Sequence, residues 1–99
     1  MASKIRRSSG NVFTDLGFPA EEAANLVVRA DLMIAITKII ESRKLSQAKA
    51  AALFEVSQPR VSDLVRGKID RFSVDGLIAM LGHAGVGVRI TTTRTKRIG

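Results

Sequence analysis

Cysteine is absent from the chain, and histidine occurs once, as His83. The first absence excludes disulfides and thiolate metal sites, and one imidazole cannot build a metal site by itself. No apolar run approaches the roughly 18 residues of a membrane span, and no signal-peptide core follows the basic start. A glycine-rich loop between a strand and a helix is also missing, so no phosphate cradle of that kind exists. Carboxylates such as Glu21 and Glu22 stand at a helix start, and no serine lies at a spacing that favours partnership with the histidine. These absences lead to the expectation of a soluble, cytoplasmic, non-enzymatic domain without cofactor or metal. Its 99 residues make one domain, long enough to bury a core of its own.

Positive charge is what the chain has in excess: 16 Lys and Arg against 9 Asp and Glu, a formal net charge of +7. The excess sits at the ends. Lys4, Arg6 and Arg7 precede the first acid, and Arg89, Arg94, Lys96 and Arg97 follow the last one. The body between them is neutral, with its bases gathered in residues 38–71 and its acids relatively rich in residues 15–37. Basic tails and a basic central stretch suit an anionic polymer as partner.

Three regions follow from local pattern: a tail over residues 1–19, a helical domain over 20–85, and a strand with a basic tail over 86–99. In the first, Ser3, Ser8, Ser9, Gly10, Asn11, Gly17 and Pro19 interrupt any period, and residues 12–18 have apolar content enough for one short docked turn. Pro19, Glu21 and Glu22 mark a helix start, since proline and acids both suit the first turn. Val28, Leu32, Ile36 and Ile39 then repeat at the helical period to about Arg43, with Met33 and Ile40 beside the stripe. A helix this long is expected to extend its first half beyond the core and pack it against a second copy. Ser46, Ser57 and Ser73 each begin a shorter helix, ending near Phe54, Arg66 and His83, and Gly67 suits a C-terminal cap. Past Gly85 the period becomes two. Val86, Val88 and Ile90 alternate with Gly87, Arg89 and Thr91, which predicts a short strand able to pair across a dimer.

The most informative stretch is residues 46–67. Two helices of about eight residues joined by a tight turn must cross steeply. The crossing needs a small residue, supplied by Ala51, and inner anchors, supplied by Leu53, Val56, Val61 and Leu64. Pro59 falls in the first turn of the second helix, where a missing N–H costs little. The outward side carries the chemistry. Gln58 matches adenine N6/N7, Arg60 matches guanine O6/N7, and Ser62 and Asp63 lie nearby, Asp63 either accepting from cytosine N4 or orienting Arg60. Gln47 begins the first helix, whose amides suit a phosphate, while Lys44, Lys49, Arg66 and Lys68 are candidates for flanking phosphates.

Residues 46–67 resemble the lambda-repressor-like helix-turn-helix of the XRE (Cro/CI) family. The longer string Arg43-Lys44-Leu45-Ser46-Gln47, Val56-Ser57-Gln58-Pro59-Arg60-Val61-Ser62-Asp63-Leu64, Gly67-Lys68 and Phe72-Ser73 resembles HigA-type antitoxins, as does the opening Asn11-Val12-Phe13-Thr14-Asp15-Leu16-Gly17. The resemblance runs from about Asn11 to Ile90. It implies an all-α, five-helix fold, a homodimer, a double-stranded operator with two half-sites, and a toxin partner of the RelE/HigB-like ribonuclease type. By position in the motif it assigns Gln47, Gln58, Pro59 and Arg60 to the DNA-facing side and Arg66 to a phosphate. Glu55 departs from the glycine usual at the turn, and Lys49 from the glutamate that often completes a capping box. The function expected is a sequence-specific transcription regulator, the autorepressing antitoxin of a toxin–antitoxin pair, with residues 12–28 as the candidate toxin contact. A plain regulator without a toxin and an interaction module that has lost DNA are the alternatives.

Overall fold

The computed structural model describes residues 16, 17 and 19–92 of the chain. Among them are four α-helices and one 3-10 turn: α1 (Ala20–Ser42), α2 (Gln47–Phe54), α3 (Gln58–Val65), the 3-10 turn Ile69–Arg71 and α4 (Val74–His83). The all-α expectation holds. The fifth helix implied by the family resemblance is not among the described residues, and residues 1–15 and 93–99, where most of both tails lie, are outside them.

One hydrophobic cluster joins every helix. Leu32, Met33 and Ile36 of α1 meet Ala50, Ala51 and Phe54 of α2, Val61 and Leu64 of α3, Phe72, and Leu77, Met80 and Leu81 of α4. Ala50 and Ala51 let α2 approach its neighbours closely, and Phe54, fully buried, fills the space behind them. The periodic stripe of α1 runs slightly differently from the expectation, since Val28 and Ile39 are only partly buried while Met33 is buried. The first half of α1 lies beyond this cluster, as expected, and Ala23, Leu26 and Val27 are buried there outside it.

The expected C-terminal strand is not formed. Residues 86–92 carry no strand pairing. A strand is stabilised by a ladder partner, and the other described elements are helices that offer no edge. The alternating pattern serves packing instead, with Val86 and Val88 against the helical core while Arg89 and Ile90 are exposed.

All four helices end in the same way, through a residue in the left-handed region. Lys44 (φ 54°), Glu55 (φ 59°), Gly67 (φ 75°) and Gly85 (φ 79°) follow α1, α2, α3 and α4. The next N–H turns back to satisfy a carbonyl in the last helical turn: Leu45 to Ile40, Val56 to Ala51, Lys68 to Asp63 and Val86 to Leu81. Three of those returning residues, Leu45, Val56 and Val86, pack against the core, so each helix stop is also a hydrophobic anchor. Two positions place a side chain where glycine is favoured, at a cost of about 1 kcal/mol each. Glu55→Gly is expected to raise the free energy of unfolding in urea by about 0.5–1 kcal/mol, and Gly67→Ala to lower it by a similar amount. A loss of stability in Glu55→Gly would show instead that the Glu55 side chain, 3.5 Å from His83 Nδ1, outweighs the backbone strain.

Candidate nucleic-acid interface

Helices α2 and α3 are joined by the three residues 55–57. Each starts on a serine cap of the expected kind. Ser46 Oγ accepts from the N–H of Lys49 at 3.1 Å, and Ser57 Oγ accepts from that of Arg60 at 3.3 Å. Both caps satisfy amides at the positive end of a helix dipole, and both lie at the surface. The inner face of α3 is fixed by Val61 and Leu64, 1% and 2% exposed. The inner face of α2 is held by Ala50, Ala51 and Phe54, with Leu53 and Val56, two of the anchors expected from sequence, only partly buried.

The outward face of α3 follows from its pitch. At about 100° per residue, Gln58, Pro59, Ser62 and Arg66 fall within an arc of about 100°. Gln58, Pro59 and Arg66 are exposed and Ser62 is half-buried. Gln47 is exposed at the start of α2, with Ala48 and Lys49 beside it in sequence. Lys44 is exposed in the turn before α2. These residues give a polar surface with several bases, supported by a backbone that the core holds.

Three expected site residues are engaged within the protein. Asp63 accepts from Arg71 Nη1 at 3.2 Å and lies 3.8 Å from Lys68 Nζ, so it binds the residues after α3 and is not found orienting Arg60. Lys68 is thereby partly neutralised. Arg60 is half-buried, donates to the Arg71 carbonyl at 3.0 Å, and places its guanidinium carbon 4.4 Å from the centroid of the Phe72 ring. From the other side Arg29 of α1 donates to the carbonyls of Ile69 at 3.1 Å and Phe72 at 3.2 Å, while its Nε donates to Asn25 at 2.7 Å. Arg29, Arg71 and Phe72 were not singled out from sequence as functional residues. Their contacts to the 3-10 turn join positions eight to 43 apart, beyond any local period. Among the described residues no group of three metal-ligating side chains exists, and no helix is long and apolar enough to cross a membrane. Ser57→Ala should cost about 0.5–2 kcal/mol of stability by stranding an amide at the start of α3, a loss measurable as a lowered urea midpoint; an unchanged midpoint would mean that water caps the helix as well as the serine does.

A family model described as a helix-turn-helix domain matches residues 12–93 of this chain. Among solved structures, a chain whose description assigns it to the XRE family of transcriptional regulators aligns with a TM-score of 0.68 and 33% sequence identity, covering 77% of this chain and 85% of that one. No curated protein matches. The serine-capped helix pair packed on Phe54, Val61 and Leu64 is thus the helix-turn-helix unit of that fold, and the chain belongs to the XRE helix-turn-helix family.

Proposed function

We propose that the protein is a non-catalytic, sequence-specific DNA-binding transcription regulator that reads the major groove with α3. The observation that carries this reading is the outward arc of exposed Gln58, Pro59 and Arg66 with half-buried Ser62, on a short helix whose opposite face is locked into the core. A helix of this size fits the major groove, and its N-terminal residues are the ones that reach base edges in helix-turn-helix proteins. Gln58 supplies the amide fork that matches adenine, and Ser62 adds a hydroxyl one turn further along. Gln47, Arg66 and, after it yields its ion pair, Lys68 serve the phosphates on either side. Family membership supports the same reading.

The natural test is titration of a fluorescent duplex carrying the gene's own upstream region, beside a scrambled duplex, at two salt concentrations. Gln58→Ala is expected to lose about 1–3 kcal/mol on the specific duplex and little on the scrambled one. Equal and weak binding of both duplexes by the wild type would reject sequence-specific reading and favour an interaction module.

A second copy of the chain is the proposed partner on DNA. Ile34 and Val65 are 53% and 42% exposed, and both border an apolar groove of about 370 Å³ between α1 and the end of α3, walled by Met33, Leu64 and Ile69. Lys38 and Glu41 also line it. A two-fold contact uses the same patch on both copies, and the register proposed for it pairs each Lys38 with Glu41 of the partner subunit, opposite charge against opposite charge. It also places the end of α3 near the axis and Gln58 away from it, as two separate half-sites require. Lys38→Glu and Glu41→Lys should each be monomeric by sedimentation, and an equimolar mixture of the two should dimerise. Dimers of either variant alone, or none in the mixture, would place the contact elsewhere.

The finer reading is an autorepressing antitoxin that also binds a RelE/HigB-like toxin. Its support is the resemblance of residues 43–73 and of the opening at Asn11 to HigA-type antitoxins, with residues 12–28 as the candidate contact. Co-purification of a ribonuclease encoded beside the gene would sustain it. An isolated gene with intact operator binding would favour a plain regulator.

A further inference from the structure

Arg60 is the residue on α3 whose type most strongly suggests base reading, yet its geometry points elsewhere. On the helical pitch it lies roughly 150° from the centre of the arc formed by Gln58, Pro59, Ser62 and Arg66. Its guanidinium carbon lies over the ring of Phe72, a residue only 3% exposed, at 4.4 Å from the centroid, and its Nη1 donates to the Arg71 carbonyl. The same short segment is gripped by Arg29 from α1 and, through Arg71, by Asp63 from α3. A bidentate contact to guanine needs a planar fork presented edge-on into the groove. To offer one there, Arg60 must swing away from the ring and release the carbonyl.

We propose that Arg60 is a positioning residue, which sets the angle of α3 against the 3-10 turn through Phe72, and that base discrimination rests on Gln58 and Ser62. The half-site pair beneath the start of α3 is then read by an amide, which matches adenine, and not by a guanidinium, which matches guanine. The planar stack is what matters in this role. Lysine keeps the charge but has neither the flat face nor the fork. The inference deepens the DNA-reading function proposed above and rests on it.

Selection of a randomised duplex pool by wild type, Arg60→Ala, Arg60→Lys, Phe72→Leu and Gln58→Ala tests it, alongside urea unfolding of the same proteins and of the Arg60→Ala/Phe72→Leu double variant. The three variants at Arg60 and Phe72 should weaken binding to all duplexes by a similar factor while enriching the wild-type sequence. Gln58→Ala should lose roughly tenfold or more of the preference at one adenine. In unfolding, the double variant should be less destabilised than the two single losses added together. The proposal is overturned if Arg60→Ala loses preference at one guanine while Phe72→Leu keeps it. Full recovery of binding in Arg60→Lys overturns it too, since charge alone would then account for Arg60. Additive unfolding losses would remove the clasp itself. Absence of any enriched sequence with wild type would instead reject the DNA-reading function, while non-additive unfolding would still establish the clasp.

Discussion

Between α2 and α3 the chain turns sharply within three residues, and most of what the protein presents to its surroundings depends on that turn. Glu55 in the left-handed region brings the Val56 N–H back to the Ala51 carbonyl, and Val56 then packs against the core. Ser57 can begin a new helix at once because its hydroxyl satisfies the Arg60 amide. The turn thereby sends α3 off with Val61 and Leu64 inward and Gln58 outward. A longer or looser connection would leave the face of α3 undefined. Small residues at Ala50 and Ala51, and Phe54 behind them, make the close approach possible.

The 3-10 turn after α3 is the second fixed point. It is held without hydrophobic bulk of its own beyond Ile69 and Phe72, by cationic side chains arriving from two directions. Arginine suits this work because its fork reaches carbonyls while its plane covers an aromatic ring. The arrangement links α1 to α3 through the segment between α3 and α4, so the polar face of α3 is referenced to the longest helix of the protein. Each contact is modest at a partly solvated site, and together they constrain an otherwise short connection.

Much of this fold was legible in the residues. The long helix from Pro19, the three serine caps, the glycine after α3 and the left-handed demand at Glu55 all act over four residues or fewer, where composition and period carry the information. The outward placement of Gln47, Gln58, Pro59 and Arg66 was legible for the same reason. Misreadings arose where long-range packing decides. Val86, Val88 and Ile90 have a strand's alternation, but the surfaces available to them within one copy are helices, so two of the three are drawn onto the core and no ladder forms within the described residues. The first half of α1 was legible as a stretch beyond the main core, but not that Ala23, Leu26 and Val27 are buried there.

What the sequence by itself determined is the helix-turn-helix unit: its serine caps, its small residues at the crossing, and the polar side chains at the start of α3, because each is a consequence of local hydrogen bonding and helical pitch. What only the tertiary structure decided is which of those polar side chains are available. Arg60 and Asp63 look as competent for DNA as Gln58 on chemistry alone. The 3-10 turn occupies both, since Arg71 and Phe72 lie within reach only after α3 and α4 have packed on α1. Availability depends on neighbours distant along the chain, and no local pattern records them.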